Sequence, residues 1–315
     1  MSSLSHQKLN ESISRIKKSF DKPHSFKVIT RDNYSKWLTF NYHSIIGKGS
    51  FGVVSKIRTE DGIDYALKEV YQDARYYNRE LEMLLHLEHP NLIKMAYYYI
   101  TEETSEGRYQ NLILEYFPQS MEDIIYDTAI LPEKEILIYY NQALLALEYL
   151  HTRGICHRDI KPANILIKGS TLKICDFGSA KKLVEGTTNI TYICSRYYRA
   201  PENLLGLSNY TTKIDIWALG CVFYELSHKK VLFKGESMAE QLSLILGVLN
   251  VTRKDLNVMK CTKEINQSAP GIVKYISDKI KDKLLIELIS KSLVFNPTKR
   301  STTKELLLKI NKENE

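Results

Sequence analysis

The chain has 315 residues, 43% of them hydrophobic, and a formal net charge of +7, which is enough apolar material for a large core. Its apolar runs are short and broken by Lys, Glu or Tyr, so neither a membrane span nor a secretion signal is expected, and the protein is expected in the cytoplasm or nucleus. Five scattered cysteines (Cys156, Cys175, Cys194, Cys221 and Cys261) lack metal-ligand spacing and read as reduced thiols, which argues against a disulfide framework or a zinc site.

Residues 1–31 hold seven basic side chains (Lys8, Arg15, Lys17, Lys18, Lys22, Lys27 and Arg31) against Glu11 and Asp21, so most of the surplus charge sits in a leader. Charge gathered this way predicts no nucleic-acid face. Residues 1–37 read as a basic N-terminal extension, a solvated arm with one amphipathic turn at Ile13, Ile16 and Phe20, and no membrane contact is expected of it.

From about residue 38 to 118 the chain alternates in short runs, HSIIGKG, FGVVSKIR, DYALKEV, MAYYYI and NLILEYF, with a turn at Glu60–Gly62. This pattern predicts a small antiparallel sheet. One helix is expected within it, over DARYYNRELEMLLHLEH, where Leu81, Leu84, Leu85 and Leu87 share a face. From Pro132 helices dominate, the first closing before Gly154. The segment TKIDIWALGCVFYEL is apolar nearly all round and is expected to be buried. The fold class expected is α+β, with a sheet-based lobe at about 38–118, a helical lobe at about 119–310 and a short tail at 311–315.

The chemistry-bearing motifs fall in the loops of this plan. Gly47-Lys48-Gly49-Ser50-Phe51-Gly52-Val53-Val54 lies between the first two of these strands, where glycines let the backbone approach a polyphosphate; by itself it is as often a plain turn. Lys68 stands in a strand interior, where a charge needs a partner, and Glu80 on the following helix is the candidate. His157-Arg158-Asp159-Ile160-Lys161-Pro162-Ala163-Asn164 and Asp176-Phe177-Gly178 follow. Phosphoryl transfer needs metal-binding oxygens, a cation on the phosphates and a carboxylate at the attacking hydroxyl, and these loops carry that set in order. Asp159 is expected to take the hydroxyl proton, Lys161 to contact the γ-phosphate, and Asn164 with Asp176 to hold Mg²⁺.

On these motifs and Ala200-Pro201-Glu202, the chain resembles eukaryotic protein kinases over roughly residues 38–310. DFGSAKKL, ITYICSRYYRAPE and YTTKIDIWALGCVFYEL resemble the glycogen synthase kinase 3 (shaggy-type) branch more narrowly. The resemblance implies a bilobal fold and a serine/threonine protein kinase using ATP and Mg²⁺. It places the nucleotide among Ile46, Gly47, Lys48, Gly49, Ser50, Phe51, Gly52, Val53, Val54, Ala66, Lys68 and Leu166, with Leu114 as gatekeeper and Glu115-Tyr116-Phe117 as hinge. It implies that Asp215 braces the catalytic loop and that Arg300 pairs with Glu202.

Two phosphate sites follow from the same resemblance. Tyr192 matches an autophosphorylated activation-loop tyrosine whose phosphate Arg196 and Arg199 would pair. Arg79, Arg158 and Lys181 form a basic trio that many kinases fill with a phosphothreonine from the activation loop. Here that position is Ile190, which leaves the trio to a phosphate already on the substrate, four residues C-terminal to the acceptor. Pre-phosphorylated protein substrates are therefore the expected partners. A cyclin-dependent or mitogen-activated type of kinase without a priming preference is the alternative. A catalytically dead scaffold is disfavoured, since Lys68, Asp159, Asn164 and Asp176 are all present. The chain departs from the branch in lacking an arginine-rich serine stretch near its start, Ser19 being a weak substitute, and in a shortened region over 249–275. Inhibitory phosphorylation and scaffold partners are therefore not carried over.

Overall fold

The computed structural model describes residues 3–20, 22–49, 52–73, 79–101, 107–127, 129–184, 186–264 and 268–313. The chain divides into two packed units, residues 1–88 with 93–117, and residues 89–92 with 118–315. The first is built on an antiparallel sheet and the second mainly on helices, which is the expected α+β class.

The first unit runs α1 (Ser3–Lys18), β1 (Pro23–Ile29), β2 (Ser35–Gly49), β3 (Gly52–Thr59), β4 (Asp64–Asp73), α2 (Glu80–His86), β5 (Met95–Thr101) and β6 (Gly107–Glu115). Its strands close into a barrel in the order β1-β2-β3-β4-β6-β5, every pairing antiparallel. Strand alternation sends Val28, Phe40, Tyr42, Val53, Ile57, Leu67, Tyr99 and Ile113 into one interior cluster. The expected turn after β3 forms with Gly62 at φ +80°, its N–H donating to the Thr59 carbonyl at 2.9 Å.

Two expectations are corrected here. The basic leader is not a solvated arm: Ile16 is buried in the barrel cluster, Leu9, Ile13 and Phe20 pack against it, and Phe20 bridges to Tyr42. Phe26 and Val28 alternate inward along β1, which pairs with β2 along its length and meets β5 at Ile29 and Tyr98. Apolar burial outweighs the charge, because Lys17, Lys18, Lys22 and Lys27 lie on exposed positions and keep their heads in water. The helix expected over 73–89 is described only as Glu80–His86, because the chain turns extended at Leu87; residues 74–78 lie outside the described residues.

The second unit runs β7 (Gln119–Ser120), α3 (Met121–Tyr126), α4 (Glu133–His151), β8 (Ile155–Cys156), β9 (Ile165–Lys168), β10 (Thr171–Ile174), β11 (Lys181–Lys182), α5 (Pro201–Leu204), α6 (Lys213–His228), α7 (Met238–Val248), α8 (Arg253–Val258), α9 (Ile272–Ile276), α10 (Lys283–Ser292) and α11 (Thr303–Glu313). Pro132 caps α4 and Gly154 follows its end at φ +71°, as the sequence predicts. Every residue from Ile214 to Leu226 in α6 is buried. Gly220 is required there, because a Cβ would meet Leu293 and Ser292 side chains at 2.9 Å. No described helix is long and apolar enough to cross a membrane.

Arg300 and Glu202 form a fully buried bidentate pair, Nη1 to Oε1 at 2.7 Å and Nη2 to Oε2 at 2.9 Å. Removing one partner of such a pair strands a charge in low dielectric. Arg300→Met is therefore expected to destabilise the protein by about 3–5 kcal/mol, and Arg300→Met with Glu202→Met to recover most of that loss, both read as denaturant midpoints.

Candidate active site

In the first unit, β2 and β3 form the glycine-rich hairpin, with Lys48 opposite Val53 and Gly49 opposite Gly52. Ser50 and Phe51 at its tip lie outside the described residues. Gly52 lies against β4 so closely that a Cβ would sit 1.9 Å from the Glu69 carbonyl oxygen, so no other residue fits. Val53 is wholly buried in the barrel, so any part it has in nucleotide binding is through its backbone, whereas Val54 has the opposite face of the strand. Lys68 Nζ donates to both carboxylate oxygens of buried Glu80, at 2.6 and 2.8 Å. The expected interior lysine thus has its helix partner.

Ala66 pairs in register with Leu114, which is buried. Ile46 is 44% exposed and Gly47 stands opposite Val54. At the end of β6 the Glu115 N–H donates to the Lys94 carbonyl at 3.0 Å and its carboxylate accepts from the Lys94 N–H at 2.7 Å. Tyr116 lies under the Lys56 ammonium, 4.7 Å from the ring centre, and Phe117 ends the unit. Leu166 belongs to the second unit, on β9 opposite Lys173.

The second unit brings the catalytic-loop residues together. Asp159 Oδ2 accepts from Lys161 Nζ at 2.8 Å and from Asn164 Nδ2 at 3.0 Å. Its Oδ1 accepts from the N–H and hydroxyl of Ser195, at 3.2 and 3.3 Å. Asp215, 1% exposed, receives the N–H groups of His157 and Arg158 at 2.8 and 2.9 Å and His151 Nε2 at 2.9 Å. Burial alone would raise its carboxyl, but the His151 hydrogen bond and charge, with the Arg158 amide, hold it below the usual carboxylate range. Gripping two successive amides keeps Arg158 at φ +68°. The fold thus stabilises at this loop a backbone state that a non-glycine residue seldom adopts.

Asp176 is also left-handed, at φ +64°, and accepts from the Gly178 N–H at 3.3 Å. Phe177 is fully buried, its ring 5.4 Å from His157, and the Cys175 N–H donates to the Asn164 carbonyl at 2.9 Å, joining the two loops. No cluster of three or more His, Cys, Asp or Glu that could hold a metal occurs among the described residues. The Asp176 carboxylate and the Asn164 amide oxygen are hard donors, few in number. That set fits Mg²⁺, which keeps waters and phosphate oxygens in its own shell and needs no all-protein cage.

The basic residues divide likewise. Arg79 is exposed at the N-cap of α2 in the first unit. In the second, Arg158 Nε donates to the Ser179 carbonyl at 2.6 Å and Nη1 to the Tyr210 hydroxyl at 3.2 Å, while Lys181 Nζ donates to Asn189 Oδ1 at 2.6 Å. Tyr210 in turn donates to the Ile190 carbonyl at 3.1 Å. Among the described residues neither Arg158 nor Lys181 is paired with a carboxylate. Tyr192 is 69% exposed, and the buried Arg199 guanidinium lies 4.5 Å from its ring centre, donating to the Ile193 and Cys194 carbonyls at 2.8 and 2.9 Å. Arg196 instead donates to the Glu236 carbonyl. Ser195, Tyr210, Asn189 and His151 escaped the sequence reading. Only the nearness of Ser195 and Asn189 to Tyr192 could have drawn attention to them.

The protein kinase domain family matches residues 40–309. The chain belongs to the protein kinase family. Its relatives place this kinase in the glycogen synthase kinase 3 branch. It is 45% identical over 310 residues to the Encephalitozoon cuniculi protein named "Probable serine/threonine-protein kinase MRK1 homolog", covering 98% of both chains. It is 40% identical to protein kinase gsk3 of Schizosaccharomyces pombe, covering 86% of this kinase and 73% of that one. It is 41% identical to glycogen synthase kinase 1 of Pyricularia oryzae, covering 84% and 70%. Membership of the family makes the chain an enzyme that transfers a phosphoryl group to protein, and implies ATP as donor and, typically, Mg²⁺.

Proposed function

We propose that this kinase phosphorylates serine and threonine in substrates that already carry a phosphate four residues C-terminal. Lys68, held by Glu80, contacts the nucleotide phosphates. Asn164 and Asp176 hold Mg²⁺, which when bound neutralises charge on the phosphate oxygens. The substrate hydroxyl oxygen attacks the γ-phosphorus, the bond to the β–γ bridging oxygen breaks to leave ADP, and the hydroxyl proton passes to Asp159. Lys161, at 2.8 Å from that carboxylate, is in reach of the transferring group. The observation that carries the priming reading is that, among the described residues, Arg158 and Lys181 are met by neutral acceptors, the Ser179 carbonyl, Tyr210 and Asn189, in a chain whose own loop offers Ile190 in place of a phosphorylatable residue. Transfer from Mg-ATP to paired peptides, identical but for the priming phosphate, tests it. A marked preference for the primed peptide is the expected result, and equal rates would exclude it.

Autophosphorylation of Tyr192 belongs to the same reading. Its exposure and the Arg199 guanidinium over its ring support a phosphate there that orders the loop on the substrate side. Tyr192→Phe is expected to lower kcat/KM for peptide severalfold while the KM for ATP stays within about twofold. Mass spectrometry of protein made in bacteria should find the phosphotyrosine in active enzyme only; phosphate on Tyr192 of an inactive Asp159→Asn protein would assign it to another kinase.

A further inference from the structure

Successive side chains of a strand point to opposite faces, so Lys68 and Glu69 part company on β4. Glu69 shares its face with Leu67, which lies in the barrel cluster, and Glu69 itself is 2% exposed. The barrel therefore holds a carboxylate among Tyr42 and Tyr99, whose hydroxyls are pushed well up by burial first and by the Glu69 charge as well. A charge in such a place is costly unless it is paired. A partner comes from the leader: Arg15 Nη2 of α1 donates to Glu69 Oε1 at 2.7 Å, while its guanidinium lies 5.3 Å from the Tyr109 ring centre. Ile16, the next residue, is 1% exposed in the same cluster and anchors the helix there.

The backbone at Glu69 is where the nucleotide machinery meets. Its carbonyl oxygen is the atom that excludes any Cβ at Gly52, and Val53 and Val54 pair in register with Glu69 and Lys68. A shift of β4 at this residue moves the lysine and the glycine-rich hairpin together. We infer that Arg15 is a positioning residue for ATP binding: by pairing the Glu69 carboxylate it keeps that buried charge from pulling β4, and with it Lys68 and the hairpin, out of place. Arg15 lies outside the kinase-domain match of residues 40–309 and Glu69 inside it, so the device joins the leader to a strand of the shared domain. The inference rests on the reading of Lys68 and the hairpin as the nucleotide site.

The test is steady-state kinetics of the full chain with Mg-ATP and peptide. Arg15→Ala is expected to raise the KM for ATP about tenfold, with kcat and the peptide KM within about twofold of the parent. Arg15→Lys, which keeps a cation in reach, should remain near the parent. Glu69→Gln in the Arg15→Ala background should bring the ATP KM back, because the buried carboxylate that Arg15 pairs is then replaced by a neutral amide. An unchanged ATP KM in Arg15→Ala, a parallel fall in all parameters that tracks the unfolded fraction, or no recovery in the double variant would overturn the inference. If Arg15→Ala is too unstable to assay, a raised ATP KM in either Arg15→Lys or R15A/E69Q overturns it, and parent-like values in both support it. Lys68→Ala separates the two readings: if it leaves ATP binding intact, the nucleotide assignment fails, whereas if it alone damages ATP binding, only the role of Arg15 fails.

Discussion

Asp159→Asn is expected to cut phosphoryl transfer by about 10²–10⁴-fold while leaving the protein folded. The substitution keeps the side chain's shape but removes the basic oxygen that would accept the substrate proton. An amide oxygen can still accept from Lys161 and Asn164, and the Ser195 hydroxyl can turn to accept from the new amide, so the change costs only the acceptor of the Ser195 backbone N–H. Lys68→Ala should be as damaging through the phosphates, with some loss of stability because buried Glu80 loses the ammonium it holds at 2.6 Å. Transfer from Mg-ATP, measured beside the melting temperature of each variant, decides between the roles. Transfer close to the parent's from a folded Asp159→Asn protein would remove the carboxylate from the reaction. Retained transfer in Lys68→Ala would do the same for the lysine.

The sequence made local features legible and non-local ones obscure. Lys161 and Asn164 follow Asp159 by only two and five residues, so one short loop could be read as a cluster, and its hydrogen bonds at 2.8 and 3.0 Å follow from that proximity. The β2–β3 hairpin and the burial of α6 from Ile214 to Leu226 were legible for the same reason, through alternation and through apolarity nearly all round. Ser195 lies 36 residues from Asp159 and Tyr210 lies 52 from Arg158, and nothing in the intervening chain announces either contact. The leader misled by its charge. Lysine-rich composition drew attention away from Phe26 and Val28 alternating along β1 and from Ile16, whose burial decides the matter. Arg15 was counted as one more surface cation, although its partner Glu69 is 54 residues away and inside the barrel.

Arg79→Ala is expected to reduce kcat/KM on a primed peptide by about ten- to a hundredfold, one charge-assisted hydrogen bond being worth roughly 1.5–3 kcal/mol. An unprimed peptide should barely respond. The spacing is set by the substrate, since an extended peptide rises about 3.3 Å per residue and four residues carry the priming phosphate well away from the reacting hydroxyl. Arg79 is the better probe among the three cations. Arg158 is bound through its backbone to Asp215 and precedes Asp159, so its loss could disturb the chemistry itself. Lys181 is tied to Asn189 at 2.6 Å in the activation loop and would disturb that loop when removed. Arg79 stands exposed at the start of α2, beside Glu80 in sequence, so the Lys68–Glu80 contact must be shown intact by an unchanged KM for ATP. With that control, a loss confined to primed peptide assigns the phosphate to the trio. Equal losses on both peptides would instead mean that Arg79 acts through the helix and the nucleotide, and would leave a kinase without a priming site.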